Sequence, residues 1–135
     1  MRRSFSVAVG LLFGAGVAVA GEAELARVTV NSPHVKVGEA AQVKVTFQVA
    51  EGSHISPDAP LKLEFKGPPG VRIERPTLRY KDGAASGGGG PVFQDAVTPL
   101  AAGTHDVEID ASYYVCTAEL CNRQTKTLHA KVVAK

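Results

Sequence analysis

The sequence predicts an all-β chain folded as an immunoglobulin-like antiparallel β-sandwich. Two observations carry that expectation and a third narrows it. After residue 20, apolar residues recur at every second position and no segment holds a helical period. Clusters of Gly, Pro, Asn and Ser interrupt the alternation at short intervals, as turns between many short strands do. The Cys…Trp…Cys core of true antibody domains is missing, because the chain has no Trp and its two cysteines, Cys116 and Cys121, are close together.

The first element is not a strand. Met1-Arg2-Arg3, the apolar run VAVGLLFGAGVAVA and the ending Ala18-Val19-Ala20 read as a secretory signal over residues 1–20. The run is too short for a comfortable membrane span. No cysteine follows it, so no lipid anchor is expected there, and Arg2-Arg3 before Phe5 leaves twin-arginine export as an alternative to the ordinary route. Residues 21–135 then form one exported, periplasmic domain, expected to be a monomer and not inserted in the membrane. That length can bury a core without cross-links.

The strands follow in order. ARVTV offers Ala26, Val28 and Val30 to one face, and QVKVTFQVA turns Val43, Val45, Phe47 and Val49 inward. LKLEF supplies Leu61, Leu63 and Phe65; VRIERPTLRY supplies Val71 and Ile73, with a short strand at Leu78 and Tyr80. VFQDAVTPL is a less regular strand, and HDVEIDASYYVC and CNRQTKTLHAKVVA are the last two. Turns are expected at Asn31-Ser32-Pro33, Val37-Gly38, Glu51-Gly52, Gly67–Gly70 and Ala102-Gly103. The stretch KDGAASGGGGP, residues 81–91, reads as a mobile surface loop, since consecutive glycines carry high backbone entropy and pack no side chain. It lacks the Lys-Ser/Thr pair and following helix of a phosphate cradle.

Charge and composition exclude several functions. The formal net charge is +2 and the basic residues are scattered, so no nucleic-acid footprint shows. The only methionine is Met1, which argues against a thioether-rich copper carrier. No Ser-His-Asp order or paired carboxylates suggest a hydrolase.

What remains is the cysteine pair. With Thr117 to Leu120 as a hairpin loop, Cys116 faces Cys121, Tyr114 faces Arg123, Ser112 faces Thr125, Glu108 faces His129 and Asp106 faces Lys131. These are aromatic–cation, hydroxyl and opposite-charge pairs. The other face pairs Ile109 with Leu128 and Val107 with Ala130. A one-residue slip would set charges against aliphatics. Both cysteines therefore fall on the polar, exposed face, within disulfide reach across the ladder. So small a loop is stabilised by only about 2 kcal/mol on the chain-entropy model. An exposed bridge of that kind is easily reduced.

Three readings follow: a structural staple, half of a metal site and a redox pair. The histidines offer no tight spacing to the pair, which counts against a metal centre or metal chaperone. His129 reads as a surface partner of Glu108. Glu119, between the cysteines, is either a proton relay or a solvated loop carboxylate, and the second is the commoner case.

The stretches SYYVCTAELCNRQTKTL, GSHISPDAPLKLEF and PPGVRIERP resemble the N-terminal periplasmic domain of the thiol:disulfide interchange protein DsbD, over residues 24–135. The most specific part is aromatic-x-Cys-x4-Cys on the final hairpin. The resemblance implies an immunoglobulin-like fold and a thiol–disulfide oxidoreductase relay in which Cys116 and Cys121 pass electrons to oxidised periplasmic proteins. No cofactor is implied. The partners implied are other periplasmic or membrane thiol–disulfide proteins, and the donor would be a separate protein. Tyr113, Tyr114 and Phe93 become candidates for the pair's surroundings. Members of that family shield the disulfide with an aromatic in a covering loop. Here the glycine-rich segment stands in that place, which implies poor shielding, with Phe93 as the substitute. On the ladder Cys121 shares its strand and face with Arg123, so it is expected to attack while Cys116 resolves. The competing expectation is a non-catalytic accessory β-sandwich with a structural hairpin disulfide.

Overall fold

A computed structural model describes residues 25–85 and 89–135. The expected signal segment and the loop residues Gly87 and Gly88 lie outside the described residues. The strands are β1 (Ala26–Val30), β2 (His34–Val35), β3 (Ala41–Val49), β4 (His54–Ile55), β5 (Lys62–Lys66), β6 (Val71–Ile73), β7 (Thr77–Arg79), β8 (Ala84–Ala85), β9 (Gly89–Pro99), β10 (Gly103–Cys116) and β11 (Cys121–Ala134). A 3-10 turn, Tyr80–Asp82, follows β7 and takes Tyr80 out of its expected strand. No helix among the described residues is long and apolar enough to cross a membrane.

Two sheets pack as a β-sandwich. One runs β1-β3-β9-β6, with β8 also paired to β9; the other runs β2-β11-β10-β5-β7, with β4 also paired to β10. All pairings are antiparallel except that of β2 with β11, so the second sheet is mixed rather than purely antiparallel. Pro33 cannot donate a hydrogen bond, but its carbonyl accepts the Val133 N–H at 3.0 Å, and this sets β2 alongside β11.

The alternating residues meet between the sheets. Val43, Val45, Phe47, Leu63, Val97, Val107, Ile109 and Val132 are all fully buried. Phe47 ties the layers together. Its ring lies edge-on to Phe93 in its own sheet, with centroids 5.7 Å apart, and to Tyr113 in the other at 5.0 Å. Edge-on contacts suit the aromatic quadrupole better than face-to-face stacking.

The chain passes from one sheet to the other between β6 and β7. Glu74 N–H donates to Ala96 O at 3.0 Å, Arg75 N–H to Asp95 Oδ1 at 3.1 Å, and Phe65 N–H to Pro76 O at 2.7 Å. Asp95 is 1% exposed, and its Oδ2 has no hydrogen-bond partner among the described residues. Burial raises its pKa, against the pull of the Arg75 backbone and charge.

The expected loop over residues 81–91 is corrected where it is described. Ala84 and Ala85 pair with Val92 and Pro91, and Gly89 already pairs with Gln48. Gly90 is buried, and a Cβ there would overlap the Phe47 carbonyl. The ladder register shifts between Thr46 and Gln48 at this place. A glycine lets the backbones close in at such an irregularity, so Gly90 has a packing role.

Candidate functional site: the disulfide at the tip of the terminal hairpin

The register of β10 on β11 is the expected one throughout, from Gly103 opposite Ala134 to Cys116 opposite Cys121. Beyond it, Thr117 N–H donates to Leu120 O at 2.8 Å, and the N–H groups of Glu119 and Leu120 donate to Thr117 Oγ1, both at 3.3 Å. The threonine hydroxyl thus serves the loop donors that no backbone carbonyl reaches. Because Thr117 and Leu120 share a backbone bond, the next pair down is a non-hydrogen-bonded one, where opposed residues lie closest. That pair is Cys116 and Cys121, with Cα atoms 4.0 Å apart and the sulfurs joined as a disulfide.

Exposure of the two cysteines is not as expected. Cys121 is exposed, whereas Cys116 is only 3% exposed. The facing expectation holds by parity, since Cys116 falls in step with the half-buried Ser112 and Tyr114 and out of step with the buried Tyr113 and Val115. The burial comes from tertiary neighbours. On the side of β10 away from β11, β4 sets His54 opposite Cys116 and Ile55 opposite Val115. Ser56 N–H extends that contact by donating to Tyr114 O at 3.0 Å. A two-residue strand has no periodicity to detect, so His54 and β4 were missed. Nothing in the sequence alone signals them.

The other expected residues divide. Tyr114 lies half-buried on the cysteine face, opposite Arg123. In place of an aromatic–cation pair, Arg123 Nη2 donates to Ser112 Oγ at 3.4 Å, turning the guanidinium away from the disulfide. Tyr113 is 1% exposed and belongs to the core against Phe47. Phe93 is also fully buried there and is not a shield over the cysteines: its parity on β9 turns it between the sheets. Glu119 is exposed in the loop.

Lower on the same face, His129 Nδ1 lies 3.2 Å from Asp106 Oδ1, so its partner is Asp106 rather than the directly opposed Glu108. Lys131 Nζ adds a contact to Asp106 at 3.3 Å. Lys66 Nζ donates to Asp110 Oδ2 at 2.7 Å and Thr127 to Asp110 Oδ1 at 3.1 Å; the Lys66 hydrogen bond, then the Thr127 one, hold the Asp110 carboxyl below the usual range. These pairs align the hairpin's faces but reach neither sulfur.

A cavity of about 490 Å3 opens between β4 and the start of β9, lined by His54, Ile55, Tyr80, Gly83, Ala84 and Gly90 among others; neither cysteine lines it. Among the described residues, no three of His, Cys, Asp and Glu gather as a metal site would need. The tip thus carries a disulfide between a buried residue, Cys116, and an exposed one, Cys121. No protein-family model matches the chain, and no curated protein matches it.

Proposed function

We propose that the chain is an exported, periplasmic thiol–disulfide exchange module. It relays two electrons through Cys116 and Cys121, from a separate dithiol protein to an oxidised partner. The observation that carries this reading is the unequal exposure of the two cysteine residues at a hairpin tip already held by its own ladder. A staple adds little at that place, whereas an exchange centre needs one sulfur that a partner can reach.

In the reduced pair, the Cys121 thiolate attacks one sulfur of the partner's disulfide. A bond forms between Cys121 Sγ and that sulfur, and the partner's other sulfur leaves as a thiolate. The Cys116 thiolate then attacks Cys121 Sγ, which restores the Cys116–Cys121 bond and expels the partner's second thiolate. Two electrons pass to the partner, whose thiolates take up protons from water. A dithiol donor reverses the cycle to reload the pair.

The roles follow from exposure. The charge on Arg123, which suggested the same order, is directed to Ser112. The test is the reduction potential of the pair, measured by alkylation after equilibration in thiol buffers. A value above about −300 mV supports a relay, and a value below it marks a structural bridge and favours the accessory-domain reading.

A further inference from the structure

We propose that the outer edge of β11 from Cys121 to His129 is the docking rail for the partner, which adds its cysteine-bearing segment as an extra strand. This rests on the relay reading. On β11, Lys131 N–H donates to Ser32 Oγ at 3.4 Å, and the N–H groups of Val133 and Lys135 donate to Pro33 O and Val35 O at 3.0 and 3.2 Å. Odd-numbered residues of β11 therefore turn their backbone groups outward, away from β10. The same parity applies to Cys121, Arg123, Thr125, Thr127 and His129. No described residue pairs with them on that edge, because β2 meets β11 only at Val133 and Ala134.

The edge is long and uninterrupted. Residues 121–127 are exposed whichever face they point to, and the ladder with β10 runs through them without a register shift. The stretch has no Pro or Gly, and it carries the β-branched Thr125 and Thr127. Proteins usually blunt an edge with prolines, bulges, charges or a short strand, because open edges recruit other strands. Here only charge is used. A solvated edge guarded by Arg123 is the plainer alternative.

The position of Cys121 decides between them, since the edge begins at this exposed cysteine. A mixed disulfide holds its two Cα atoms about 4.4–6.8 Å apart. Hydrogen-bonded residues on neighbouring antiparallel strands are about 5.5 Å apart. A cysteine bonded to Cys121 thus has its backbone where the next strand of the sheet would run. Strand addition gives affinity through main-chain bonds and leaves selectivity to alternate side chains. Arg123 shares the face of Cys121, so the segment favoured is extended, with an acidic residue two positions before its cysteine.

The experiment uses the full chain, reduced with dithiothreitol and desalted. Three oxidants are compared by the rate at which they regenerate the Cys116–Cys121 bond. One is a synthetic extended peptide, with Glu two positions before its cysteine, presented as its mixed disulfide with glutathione. The second is the same peptide N-methylated at that Glu. The third is glutathione disulfide. We expect the first peptide to react at least about tenfold faster than glutathione disulfide, and N-methylation to abolish the advantage. Thr125→Pro removes an outward N–H and none of the bonds to β10. It should lower the ratio of peptide rate to glutathione rate toward one. Equal rates for the two peptides, or a concentration-dependent dimer that closes the edge in the protein alone, overturn the proposal. The peptide arm needs no variant, so a Thr125→Pro chain that fails to fold leaves it decisive. A pair that dithiothreitol cannot reduce in the native protein sinks the relay reading and this proposal together. A pair that is reduced but shows no peptide preference sinks this proposal alone.

Discussion

The two strands of the terminal hairpin have the same length and opposite surroundings. β10 runs inside its sheet, flanked by β11 on one side and by β5 and β4 on the other, and every second residue from Val107 to Val115 is buried. β11 reaches such surroundings only at Ala130, Val132 and Ala134. Nearer the tip, Asn122 and Gln124 lie opposite Val115 and Tyr113 and have core parity, yet both are exposed. The first sheet covers one strand of the ladder and not the far half of its partner. Laterally, β4 flanks β10 at Cys116 while no described strand flanks the outer edge of β11 at Cys121, so a single disulfide joins a buried residue to an exposed one. Two cysteines of one hairpin can thus differ in burial through lateral position in a sheet.

The largest expected effect tests that difference on one pair of opposed residues. Tyr113→Ala should cost about 3–5 kcal/mol, as large-to-small changes of buried aromatics do. Gln124→Ala, directly across the ladder, should stay within about 0.5 kcal/mol. Chemical denaturation of both variants checks this, and similar costs would break the comparison. Reduction of Cys116–Cys121 should remove no more than about 2 kcal/mol, because the closed loop is short. Thermal melts with and without reductant read it. Wholesale unfolding on reduction would mean that the tip depends on its bridge.

A smaller effect separates the sulfurs themselves. In the reduced protein, iodoacetamide should modify Cys121 at least about tenfold faster than Cys116, with peptide mapping of early time points as the readout. Equal labelling would show that β10 and β11 do not differ at the tip when the bond is open.

The smallest effect contrasts a buried carboxylate with an exposed one. Burial raises the pKa of Asp95, so the stability it contributes is full below the ordinary carboxylate pKa and is lost as pH rises through the raised value. Asp110 is held low by its Lys66 hydrogen bond, so its contribution is present above the ordinary value and is lost as pH falls. Asp95→Asn removes the first dependence only. Denaturation midpoints of the two proteins across roughly pH 3 to 8 should shift in favour of the variant as pH rises. A constant difference would mean that Asp95 titrates normally.

Much of this architecture was open to a local reading. Period-2 alternation is enough to locate long strands, because a pleated strand turns successive side chains to opposite faces whatever lies beyond it. The register of β10 on β11 was also legible. A hairpin's register depends on its loop and on which side chains can oppose each other, and both are close in sequence. The cysteines' shared face and their bond follow from that register.

Lateral neighbours were not open to such a reading. Strands of two residues, such as β2, β4 and β8, exist because a longer strand offers them an edge, and they leave no pattern of their own. The parallel pairing of β2, the enclosure of Cys116 beside His54, the core position of Phe93 and the close approach at Gly90 all depend on segments distant in the chain. Alternation tells which face a side chain occupies. Whether anything covers that face, and whether a backbone edge is occupied, depends on how far each sheet extends, and that was decided only when the two sheets packed.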